Sequence, residues 1–129
     1  MPLMKFHIYE NWQTEMITKM LDAAHGAMVR SFNVPIRDRY QIVNVFSADM
    51  MIMHDTGLDI PRTERFVLVE VVSRPRTTEE KRAFYANLSE DLHEKCDIAL
   101  SDVMISFVEN TDADWSFGYG RAQFLTKEL

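Results

Sequence analysis

The sequence predicts an α+β fold: tandem β-α-β repeats whose four strands form one mixed sheet with two helices on one face. Three observations carry that prediction. Apolar residues alternate with period two in short runs and recur at spacings of three and four in longer ones, so strands and helices take turns along the chain. The order strand, helix, strand occurs twice. The landmarks of the two halves also differ by a constant, since Thr14 to Thr78 and Asp38 to Asp102 are each 64 residues apart (78 − 14 and 102 − 38), the mark of an internal duplication.

In the first half, Met4, Phe6 and Ile8 alternate with Leu3, Lys5 and His7, which predicts a strand with a buried face. Thr14 is the expected N-cap of the helix that follows. Ile17, Leu21, Ala24 and Met28 form its apolar stripe as far as Phe32, and Asn33-Val34-Pro35 stops it. A second strand, Tyr40 to Phe46, must then run parallel to the first, because a strand-helix-strand unit crosses over that way. Residues 47–64 read as an irregular connector, with a candidate short strand at Met50 to Met53 and turn chemistry at Asp55-Thr56-Gly57 and Ile60-Pro61.

In the second half, Arg65 to Ser73 is apolar nearly throughout, as expected of a strand covered on both faces. Thr77 and Glu80 form a capping box, and Phe84, Leu88 and Leu92 give the next helix a stripe that ends near Cys96. Ser101-Asp102 leads into a strand in which Val103, Ile105 and Phe107 share a face. The halves, about 1–46 and 65–109, and a C-terminal hairpin segment are expected to make one domain over 1–129. Helices on one face leave the other for copies of the same chain to cover, so oligomerisation is a structural need.

Composition narrows the function classes. The 129 residues are 47% hydrophobic and 26% charged, as in an ordinary soluble domain. Twenty acidic against 14 basic side chains leave a net charge of −6, which argues against a nucleic-acid partner. Cys96 is the single cysteine, so no disulfide framework and no cysteine zinc site is available. The absence of a membrane-length apolar run and of a signal-peptide pattern makes the expectation a cytoplasmic protein with no membrane partner. His7, His25, His54 and His93 show no metal-ligand spacing, and His25 and His93 read as ordinary helix residues.

Four stretches carry chemistry. Initiator methionine is normally trimmed before a residue as small as Pro2, which would leave a secondary amine at the end of the first strand. An α-amino group titrates at about 7.7–8.0, so it is a candidate acid, base or nucleophile; with Met1 retained, the same nitrogen is an inert amide. Arg74-Pro75-Arg76 puts two guanidinium groups two residues apart, able to converge on one carboxylate or to stand as solvated charges. Asp38, at the start of the second strand, reads either as a turn aspartate paired to a flanking arginine or as a carboxylate that orients a water or a substrate hydroxyl. Asp114-Trp115-Ser116-Phe117-Gly118-Tyr119-Gly120 sets three aromatics outside regular periodicity, as the wall of a pocket or as a subunit contact.

Taken together, Pro2, Asp38, Arg74-Pro75-Arg76, Asp114 to Gly118 and the duplication resemble the tautomerase superfamily, and within it the malonate semialdehyde decarboxylases. The resemblance spans essentially the whole chain, including Leu21 to Val29, Asp55-Thr56-Gly57-Leu58 and Val108-Glu109-Asn110. It implies a homotrimer with a catalytic proline at Pro2, a water-activating aspartate at Asp38 and carboxylate-binding arginines at Arg74 and Arg76. It also implies a hydrophobic site wall of Trp115, Phe117, Phe124 and Leu129. The implied activity is loss of CO2 from a small 3-oxo acid, malonate semialdehyde giving acetaldehyde, with a small carboxylate as substrate and neither metal nor organic cofactor. The same residues would serve hydration of acetylenic or haloacrylic acids, or keto-enol tautomerisation of 2-oxo acids by a neutral Pro2. An assembled, non-enzymatic binding protein with a vestigial pocket is the rival outside enzyme function.

Overall fold

The computed structural model describes residues 2–129 and lays out the six elements in the order anticipated. They are β1 (Leu3–Tyr9), α1 (Thr14–Phe32), β2 (Tyr40–Phe46), β3 (Val67–Ser73), α2 (Thr78–Cys96) and β4 (Val103–Glu109). Strand order in the sheet is β2-β1-β3-β4. β1 runs parallel to β2 from the pair Leu3/Tyr40 to the pair Tyr9/Phe46, and β3 runs parallel to β4. The two central strands are antiparallel, with Leu3 opposite Val72, so the sheet is mixed. β3 and α2 each begin 64 residues after β1 and α1 (67 − 3 and 78 − 14), whereas β4 follows β2 by 63 (103 − 40).

Burial explains why these runs adopt these elements. Met4, Phe6 and Ile8 of β1 and Val67, Val69 and Val71 of β3 point to one face, where they meet Met20, Ala24, Ala27 and Met28 of α1 and Phe84, Leu88 and Leu92 of α2. The opposite face carries Ile42, Met104 and Val108, all well exposed. β3 alternates between buried and half-buried residues, so within one chain it is fully covered on one side only.

Three local expectations need correction. Gln13, not Thr14, is the N-cap of α1, and it makes no side-chain capping bond; Thr14 is already helical and its carbonyl accepts the Thr18 hydroxyl at 3.1 Å. Burial of seven α1 side chains holds that helix in place of a cap. α2 does have its capping box, with Thr77 and Glu80 exchanging side-chain to backbone bonds of 2.9 and 3.1 Å. Met50 to Met53 is not a strand: the Met50 amide turns back to the Ser47 carbonyl at 3.0 Å, and only Met51 is buried. After β4, the expected hairpin contracts to one antiparallel bridge, Gly118 with Arg121, and the chain finishes in turns.

Candidate functional site

Strand register decides which side chains can meet. β1 and β2 are parallel with Leu3 beside Tyr40, so Pro2 and Asp38 lie at the same edge of the sheet. β3 is antiparallel to β1 with Val72 opposite Leu3, so the chain leaves β3 at that edge too, into Arg74-Pro75-Arg76. Extending the pairing by one step sets Pro2 opposite Ser73. Pro2 and Ser73 are both buried. Met1, whose removal the amine chemistry requires, lies outside the described residues.

Of the two readings open for Asp38, the turn aspartate paired to a flanking arginine does not describe its contacts. Arg39 turns away to Asp22 at 2.9 Å, and Asp38 is 7% exposed with its Oδ2 buried and, among the described residues, without a hydrogen-bond partner. Its backbone amide donates to the Pro35 carbonyl at 3.0 Å. A buried carboxylate oxygen without a donor is unfavourable unless a ligand or a reacting group supplies one.

The two arginines are fixed from different sides. Arg74 Nε lies 3.2 Å from Asp112 Oδ1, and its guanidinium stands 4.2 Å above the ring of Phe124. Arg76 Nε donates to Ser73 Oγ at 3.1 Å, and its guanidinium stands 5.0 Å above Phe32. Burial pushes the Arg76 guanidinium below its ordinary value, with Arg74 adding to that effect while Glu80 and Asp38 oppose it. Arg76 thus lies within electrostatic reach of both Arg74 and Asp38. The Arg76 amide also donates to Glu109 at 3.1 Å. Hydrogen bonds from Lys81 and from that amide hold the Glu109 carboxyl below its usual range.

The aromatic segment builds a wall. Trp115 and Phe117 stack at 5.5 Å, Phe124 meets Phe117 edge-on at 5.3 Å, and Tyr40 of β2 lies 6.0 Å away from Phe117 on its other flank. Trp115 Nε1 is anchored on Asn110 Oδ1 at 2.8 Å. A cleft of about 350 Å³ runs between Pro35, Arg37, Asp38 and Tyr40 on one side and Phe117, Gln123, Glu128 and Leu129 on the other. Phe117 and Leu129 therefore line it with Asp38, whereas Trp115 backs Phe117 and Phe124 backs Arg74. A larger groove of about 620 Å³ near Ile60, Tyr85 and Leu100 contains none of the residues that the sequence singles out for chemistry.

Sequence reasoning missed Gln123. Its side chain is 8% exposed, its Oε1 accepts the Phe117 amide at 2.9 Å, and its Nε2 donates to the Gly118 carbonyl at 2.9 Å. One amide thus satisfies both backbone groups of the turn that presents Phe117. The only trace in the sequence is a single polar residue beside Phe124-Leu125.

Comparison with known proteins gives concordant results. A family model described as "Tautomerase enzyme" matches residues 38–118. The probable tautomerase YrdN of Bacillus subtilis is 46% identical over 129 residues, covering 100% of both chains. Among solved structures, a malonate semialdehyde decarboxylase described with decarboxylase and hydratase activities superposes with a TM-score of 0.96 at 48% identity, covering 98% of each chain. The FG41 malonate semialdehyde decarboxylase, inhibited by 3-bromopropiolate, superposes at 0.93 with 35% identity over 98% of this chain and 97% of that one. A fused 4-OT symmetric trimer shares the fold, at a TM-score of 0.75 and 22% identity over 92% of this chain and 94% of that one.

Proposed function

The chain belongs to the tautomerase family, and on that premise we propose that it is a cofactor-independent decarboxylase that converts malonate semialdehyde to acetaldehyde and CO2. The observation that carries this reading is the gathering at one sheet edge of buried Pro2, an unpartnered Asp38 oxygen and the Arg74/Arg76 pair. Arg74 and Arg76 hold the substrate carboxylate out of the carbonyl plane, so that the breaking carbon–carbon bond overlaps the π system. Its electron pair passes to the carbonyl oxygen, releasing CO2 and leaving the enolate of acetaldehyde, which then takes a proton on carbon. Pro2, with its nitrogen freed and protonated, donates to that oxygen, or condenses with the carbonyl to an iminium that accepts the same pair. The arginines lower the affinity of that nitrogen for a proton and Asp38 raises it, and the reaction as written uses its protonated form. The Phe117, Phe124 and Leu129 wall disfavours a localised carboxylate charge more than the dispersed charge of the transition state.

The free Asp38 oxygen favours a second reaction on the same site, addition of water to an acetylenic or haloacrylic acid with Asp38 as the base. Assembly as a homotrimer is part of the reading. The exposed Ile42, Met104 and Val108 face supplies the apolar area, and a trimeric neighbour of the same fold supplies the precedent.

The deciding experiment is Pro2→Ala, with intact mass establishing the terminus. Turnover of malonate semialdehyde should fall by about 10²–10⁴-fold while sedimentation still reports the trimer. Unchanged turnover removes the mechanism. A panel of 3-oxo, 2-oxo and acetylenic acids ranks decarboxylation against tautomerisation and hydration.

A further inference from the structure

We propose that His25 is a positioning residue for Asp38, holding the turn that aims its carboxylate; this rests on the reaction proposed above. Among the described residues, α1 reaches the segment that carries Asp38 through three polar contacts. Asp22 pairs with Arg39 at 2.9 Å, with both side chains largely in solvent, and exposed pairs of this kind fix little. Gln41 donates to the Leu21 carbonyl at 2.8 Å, from inside β2 and beyond Asp38. The third contact is buried: His25, 6% exposed, donates from Nε2 to the carbonyl of Ile36, two residues before Asp38.

A carbonyl can only accept, so the ring proton is assigned to Nε2 and the lone pair to Nδ1. Nδ1 is buried without a partner. An apolar side chain of similar bulk would avoid that unsatisfied acceptor, so the imidazole is accounted for by the one bond it makes. Asp38 needs such support, because among the described residues its own Oδ2 finds no donor, so the carboxylate is aimed by the backbone and packing around it. Ile36 itself is 76% exposed and contributes no packing anchor. α2 makes a related contact at a non-equivalent position, His93 Nδ1 bonding the Ile98 carbonyl at 3.0 Å, four residues ahead of Asp102. There the aspartate is also gripped directly by Thr63, so the histidine is not its sole restraint.

The test compares His25→Leu, which removes the donor, with His25→Gln, which can supply one. His25→Leu should lower kcat on malonate semialdehyde about tenfold or more while KM moves less than about twofold, and His25→Gln should recover most of the loss. Combined with Asp38→Asn, His25→Leu should add no further loss, because its effect runs through that carboxylate. Wild-type kcat in folded His25→Leu, or a loss that adds in full to that of Asp38→Asn, overturns the proposal. Should the leucine variant not fold, His25→Met asks the same question with a more adaptable side chain. A readout independent of turnover is the ¹³C carboxyl resonance of Asp38. It should shift or broaden in the donor-less variant while that of Asp102 stays in place, and an unmoved Asp38 signal overturns the proposal even if malonate semialdehyde proves not to be the substrate. A wild-type protein inert on malonate semialdehyde, with the Asp38 signal shifted in the variant, would sink the reaction and leave the positioning intact.

Discussion

Asp38 and Asp102 hold equivalent places in the two halves of the chain, and the protein treats them in opposite ways. Asp102 is 1% exposed and is filled from within: the Thr63 amide donates to one oxygen at 2.7 Å and the Thr63 hydroxyl to the other at 2.6 Å. Beside it, Arg62 caps the Ser101 carbonyl and lies 5.0 Å above Phe66, the counterpart of Pro2. The counterparts of Arg74 and Arg76 are Glu10 and Trp12 (74 − 64 and 76 − 64), and the cations at that end, Arg62 and Arg65, are spent on the Ser101 and Cys96 carbonyls. Asp38 has no such plug. The connector of residues 47–64 crosses to the second-half end and satisfies its aspartate through Thr63, whereas among the described residues the first-half end has a carboxylate oxygen to spare. The two equivalent ends of the fold thus differ in one respect: one satisfies its aspartate from within, and the other leaves a polar valence open.

Paired substitutions can break or sharpen that contrast. The largest effect should come from Asp38→Asn, which is expected to cut kcat about 10²-fold or more with the melting temperature held or raised, since the buried orphan loses its charge. Next, Arg76→Ala should raise KM about tenfold or more by removing a charge-assisted contact with the substrate carboxylate; a collapsed assembly would instead make Arg76 a structural residue. Asp102→Asn should do the reverse of Asp38→Asn, costing about 1–3 kcal/mol of stability through the lost Thr63 hydroxyl bond and leaving kcat per folded chain alone. An active-site loss from Asp102→Asn, or a stability loss from Asp38→Asn, would abolish the distinction between the two ends. The smallest test separates the helix starts: Thr77→Ala should cost about 1 kcal/mol in thermal unfolding and Thr14→Ala less than about 0.5, since only the former removes a cap.

Much of this was legible in the residues, for physical reasons. Period and spacing located the strands and helices because burial of one face dictates both, and parallel pairing then followed from the crossover and put Pro2 and Asp38 at one edge. The arginine pair was legible because Pro75 separates the two residues in an extended stretch. What stayed hidden depends on contacts with backbone far along the chain. Thr63 reaching Asp102 spans 39 residues, His25 reaching Ile36 spans 11, and Gln123 binds the Phe117–Gly118 peptide; a carbonyl or amide leaves no signature in side-chain chemistry. Met50 to Met53 misled for a related reason: strand propensity does not make a strand where the chain turns back at Ser47.

Leu129 lines the same cleft as Asp38, and Pro2 is buried at the same sheet edge, which bears on how the molecule can be handled. On the proposed chemistry, an affinity tag fused ahead of Pro2 would silence the amine outright, and one fused after Leu129 would press on the pocket wall. Handles and fluorophores belong instead at Leu58, which is 70% exposed, leaving its neighbour Gly57 untouched because its φ of +98° admits no side chain without strain.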